Sequence, residues 1–229
     1  MDLAQVEGGT TPFLTFDACN GERAQMVVSA LESYNQGREE KWQHLVATDQ
    51  FLQQRLKEQG IENPEKRSQI KWDDPTLLFI TCIELNFEGR QIPVGEPQIR
   101  ERIGRFPWGD GSALNYMTEF IRPNHKKKSS SSVGGIDEIK QLLEELTQRC
   151  GVERQGDDRY HKGSGGMDIR GFLDATQVRS LRLALSGRAW SVSAEEPIDG
   201  GMRDVSRNLI AVLRAAERRE FGLFLRSHA

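Results

Sequence analysis

Apolar positions recur at helical spacing near the start of the chain. Ala24, Val27, Val28, Leu31 and Tyr34 share one face behind Asn20, which has the side chain of an N-cap, and Glu22 suits the first turn. A second amphipathic pattern runs through Trp42, Leu45, Val46, Leu52 and Leu56 and stops at Gly60, so the two predict a helical hairpin. The stretch 77–87 is rich in β-branched and aromatic residues and meets Glu88-Gly89 before 90–94, which reads as a β-hairpin with Pro93 at an edge. The alternative is a helix opened by Asp74-Pro75. Short helices are expected over 97–103 and 113–121.

Further on, Ile136, Ile139, Leu142, Leu143 and Leu146 form an apolar stripe, and Gly151 closes that helix. The polar, Gly-rich stretch 151–171 reads as an exposed loop. Asp174 and Gln177 make a capping box for a helix through Val178, Leu181 and Leu185. A short strand over 189–194, a turn at 197–201, a helix carrying Val205, Leu209, Val212, Leu213 and Ala216, and a strand over 221–225 predict a βαβ unit with parallel strands.

Residues 123–135, which include Lys126, Lys127, Lys128, four serines and two glycines, offer almost nothing to bury and read as a flexible linker. The expectation is therefore an α+β (mixed α/β) protein. A helical domain with a β-hairpin spans 1–122, the basic linker spans 123–135, and a helix-rich βαβ domain spans 136–229.

Charge sharpens this picture. The chain has 229 residues and a net charge of −3, but residues 1–121 hold 12 basic and 19 acidic side chains, 122–135 hold four basic ones, and 136–229 balance at 15 each. An acidic first part argues against a broad duplex-binding face, because phosphate neutralisation supplies most non-specific affinity. No apolar run approaches the roughly 20 residues needed to cross a bilayer, and the first residues lack the pattern of a secretory signal. Three dispersed cysteines suggest neither a disulfide framework nor a metal clip. These features predict a cytoplasmic protein without a cofactor or a bound metal.

Candidate chemistry is sparse. Asp157, Asp158, His161 and Asp168 share one polar loop, but its glycines would hold metal ligands poorly. Asp199-Gly200-Gly201 before a helix, with Arg203 in the first turn, has the elements of a weak anion site, without the spacing of a dinucleotide or phosphate-loop fingerprint. Arg105, Phe106, Trp108 and Asp110 lie among Pro and Gly, where two large aromatics either anchor a partner or plug the core. The leading expectation is a non-enzymatic interaction protein, either a subunit of an assembly or a regulatory or toxin-neutralising partner. Its binding candidates are Arg105, Phe106, Trp108, Asp110, Lys126, Lys127, Lys128 and Arg203. One alternative is an enzyme acting on a phosphorylated or nucleic-acid substrate through 157–168 or 199–203. The other is a nucleic-acid-associated subunit using Lys126–Lys128 and the Arg-rich last part.

Overall fold

The computed structural model describes residues 13–97, 99, 101–124, 135–150, 160, 168–187 and 189–228. The fold is α+β: helices pack on both faces of a four-stranded antiparallel sheet, and a second sheet has two short strands. The large sheet has the order β2 (Arg102–Gly104), β1 (Phe13–Cys19), β6 (Gly222–His228), β4 (Asp168–Leu173), and the small one pairs β3 (Ile121–Pro123) with β5 (Trp190–Val192). Among the described residues no helix is long and apolar enough to cross a membrane.

Side-chain alternation along the strands assigns the two faces. Phe224 of β6, Ile169 and Phe172 of β4 and Cys19 of β1 pack into one core with α1 (Gly21–Asn35), α2 (Glu40–Thr48), α3 (Gln50–Glu58) and α4 (Asp74–Cys82). The intervening residues Leu14, Phe16, Ala18, Leu173, Leu223 and Leu225 join the other core with α5 (Ala113–Phe120), α6 (Ile136–Gln148), α7 (Ala175–Ser186) and α8 (Gly201–Arg218). A strand buried on both faces reads as a continuous apolar run, which is why Leu223-Phe224-Leu225 occupies the middle of the sheet.

That position corrects the βαβ expectation. β5 pairs antiparallel with β3, while β6 runs antiparallel between β1 and β4, so the two strands joined by α8 never share a sheet. Three residues of β5 cannot cover a seven-residue partner, and β6 finds two longer neighbours instead. The expected boundary at 123–135 falls between β3 and α6, and its residues 125–134 lie outside the described ones. The chain before and after it does not build separate sheets: β1 and β6 share a register from Phe13↔His228 to Cys19↔Gly222.

Other departures have local causes. The expected hairpin over 77–94 is a helix through Cys82, because Asp73 accepts from Thr76 N, Pro75 sits in the first turn, and Leu77, Leu78 and Cys82 are buried. Of the hairpin only a Leu85↔Gln91 bridge remains. The second helix breaks in two at Asp49, whose carboxylate accepts from Leu52 N and pairs with Arg23 at 2.6 Å. Residues 102–104 are an edge strand on β1 rather than part of a helix. The end of the expected 151–171 loop is β4, and 151–159 with 161–167 lie outside the described residues.

Candidate functional site

β1 and β4 both run antiparallel to β6 and are therefore parallel to each other. Their carboxyl ends meet at one edge of the sheet, where α1 leaves to cover one face and α7 the other. The two chain paths diverge there and leave a crevice between them. Here it holds a cavity of about 510 Å³. Gly21 and Gly222 let the backbones close beneath it: a Cβ on Gly21 would lie 2.4 Å from Asp174 Cα, and one on Gly222 would lie 2.5 Å from Leu173 O. No larger residue fits at either position without moving main chain.

Four carboxylates, of Glu22, Glu84, Glu217 and Glu220, and one guanidinium, of Arg179, line the crevice. Arg182 holds Glu217 (Nε to Oε2, 2.5 Å), and Arg179 lies 3.8 Å from the same carboxylate. The hydrogen bond from Arg182 keeps the Glu217 carboxyl below its ordinary pKa. Among the described residues no cation pairs with Glu22, Glu84 or Glu220 at salt-bridge distance. Cys19, also in the lining, is fully buried, and burial pushes its thiol well above the ordinary range, which makes it a poor nucleophile. Glu220 has φ +57°, a left-handed conformation where glycine is usual after a helix, at a cost of about 1 kcal/mol.

Several large apolar side chains are exposed among the described residues. Five large ones stand out: Met26 (48 % exposed), Phe51 (53 %), Phe87 (96 %), Leu183 (41 %) and Val192 (40 %). Met26 lies one helical turn from Glu22, and Leu183 one turn from Arg179. The Arg23 guanidinium lies 4.7 Å from the Phe51 ring, and Phe87 follows Glu84 by three residues.

Phe87 is held out on a built turn. Asn86 Oδ1 accepts from Glu88 N and Arg90 N, Gly89 N donates to Asn86 O, and Gly89 takes φ +74°. The turn is tied to the sheet because the Gln91 amide donates to Asp17 Oδ1 at 2.5 Å. Asp17 is 1 % exposed and receives both Nε and Nη2 of Arg226, whose guanidinium stacks on Phe79. The tip thus stands on a buried ion pair rather than on a loose loop.

The residues expected from sequence to bind are placed differently. Phe106 and Trp108 are half-buried and fold inward: the Phe106 ring lies 4.6 Å from Tyr116, Trp108 meets Phe120 edge-on at 5.4 Å, and Trp108 Nε1 donates to Glu119. Of the two readings of this segment, the core plug describes these contacts. Arg105 and Asp110 are exposed beside it, and Asp110 accepts from Ser112 N and Asn115 Nδ2. Lys126, Lys127 and Lys128 lie outside the described residues, as do Asp157, Asp158 and His161. Asp168 accepts from Ser227 Oγ at 2.6 Å.

At the 199–203 turn, Gly201 N already donates to Ile198 O and Met202 N to Glu196 Oε1. The chain's own carboxylate occupies the place an external anion would take. Tyr116 OH donates to the same Glu196 oxygen, and burial with that bond pushes the phenol up to about 12. Arg203 is exposed and does not join this group.

The crevice was missed from sequence because its lining comes from four separated segments. Comparison with family models, with curated proteins and with solved structures finds no match to this chain.

Proposed function

We propose that this chain is a non-enzymatic interaction protein of the cytoplasm that docks a partner on the face around the crevice. The observation that carries this reading is that exposed Met26 and Leu183 lie one helical turn from Glu22 and Arg179, two residues that line the crevice from opposite faces of the sheet. The Phe87 tip supplies a rigid aromatic anchor of the kind that dominates binding energy, since its turn is fixed before the partner arrives. All three cysteines are free and buried, which suits a reducing compartment.

The test compares the native complex formed by the unaltered chain with that formed by the double variant Met26→Glu, Leu183→Glu in cells of the source organism. Both positions are exposed, so the variant is expected to melt with the parent and to lose the complex. A complex that survives both charges, or a parent chain that purifies alone, would contradict the proposal.

A further inference from the structure

We infer that His228 is a pH-sensitive latch on one end of the large sheet: neutral, it clamps β6 to β1, and on taking up a proton it frees the first residues of β1 together with β2. The inference is independent of the docking face. β1 and β6 pair from Phe13↔His228 to Cys19↔Gly222, and His228 closes the outermost pair. Its ring lies flat on Phe13, with centroids 4.3 Å and planes 10° apart, and its Nε2 shares a 2.8 Å hydrogen bond with Thr15 Oγ1. The same stretch of β1 carries β2 on its other side, through Phe13↔Gly104, Leu14↔Ile103 and Thr15↔Arg102. Three pairs are few for an edge strand, so β2 stays ordered only while that end of β1 does.

The charges around the ring set the direction of the response. Arg102 of β2 holds its guanidinium 4.9 Å from the Phe13 ring, and Arg226 precedes His228 by two residues, on the same face of β6. The carboxylates that could offset another cation are already engaged. Asp17 of β1 receives Nε and Nη2 of Arg226 and the Gln91 amide, while Asp168 of β4 accepts from Ser227 Oγ at 2.6 Å and has Arg170 3.8 Å away. Protonated, His228 would be a second cation on the Phe13 ring, beside two arginines, in a half-buried place where charge is costly. Burial first, then Arg226 and Arg102, outweigh Asp17 and Asp168 and hold the imidazole below its ordinary pKa. Linkage then works in reverse: a proton favours the state in which the ring is released. The middle of the sheet, where Leu223 and Leu225 pair with Ala18 and Phe16, lies farther along and keeps its own packing.

Hydrogen exchange of the whole chain, read by mass spectrometry, tests the latch. Between about pH 7.5 and about pH 5, after correction for the intrinsic rate, exchange over 13–15 and 102–104 should speed about tenfold while 169–173 and 223–225 stay protected. His228→Gln removes the titrating group and should abolish the difference between the two pH values, whatever its own level of exchange. Arg102→Gln, at an exposed position, removes one of the two cations and should reduce the acceleration by about twofold or more. Exchange over 13–15 that does not change with pH, acceleration that spreads equally over 169–173 and 223–225, or acceleration that His228→Gln retains would overturn the inference. Should His228→Gln fail to fold, Arg102→Gln decides: an acceleration as large as the parent's overturns the latch, and a reduced one supports it.

Discussion

Replacing Phe106 and Trp108 together by Ala separates packing from recognition in the segment 105–111. Full burial makes such a truncation cost about 3–5 kcal/mol, and half-burial at both positions brings each to about 2 kcal/mol. The ring contacts with Tyr116 and Phe120 add about 0.5–1 kcal/mol, since aromatic pairs contribute beyond their area. The double variant is therefore expected to lose roughly 4–5 kcal/mol. In a chain of 229 residues each kcal/mol moves Tm by about 2–4 °C, so the fall is about 8–20 °C. Urea unfolding followed by tryptophan fluorescence and far-UV circular dichroism measures it, with the slope checked for constancy. A loss below about 1 kcal/mol would refute the inward packing and return this segment to the candidates for recognition.

Three further outcomes are expected. His228 stacks on Phe13 and bonds Thr15 Oγ1, and its pKa is lowered by burial, then by Arg226 and Arg102 against the opposing Asp17 and Asp168. A neutral form favoured by folding gives stability that is full above the unfolded pKa of 6.5 and is lost as pH falls through the folded value; His228→Gln should flatten that loss in melts taken from pH 7.5 towards pH 5, approximate endpoints chosen to span it. Gly21→Ala should unfold the protein or sharply lower its Tm, because the new Cβ meets main chain at 2.4 Å, and an unchanged melt would show that the crossing beneath the crevice is looser than described. A protease site inserted between Ser130 and Ser131 should, after cleavage, leave both fragments in one species on size exclusion, because β1 and β6 stay paired, whereas separation into two folded fragments would support the two-domain expectation.

The helices were legible where cap chemistry is local. Asn20 and the Asp174–Gln177 box mark their helices as read, and the Asp73-Asp74-Pro75 start outweighs the β-branched run that follows it. β1 was hidden because Thr15 and Asp17 look like solvent positions, and only the fold brings Arg226 to Asp17 across more than two hundred residues. β4 was hidden behind a glycine-rich stretch, and its irregularity between Ile169 and Gly171 breaks the period of two. The partner of β6 was misread because strand order depends on which neighbours bury both faces of Phe224 and Leu225, a property of the assembled layers. The crevice has no local signature: Cys19 to Glu22, Glu84, Ala175 to Arg179 and Glu217 to Gly222 are far apart in sequence until the fold brings them to one cavity.

Site-resolved photo-crosslinking tests the docking face most directly. A photoreactive phenylalanine analogue is placed singly at Met26, Phe87, Leu183 or Val192 and irradiated in cells of the source organism. All four side chains are exposed; Met26 and Leu183 lie one helical turn from residues that line the crevice, and Val192 is on β5. The expected result is one and the same adduct from positions 26, 87 and 183 and none from 192. Adducts of equal yield from all four positions, or an adduct from 192 alone, would contradict an interface centred on the crevice.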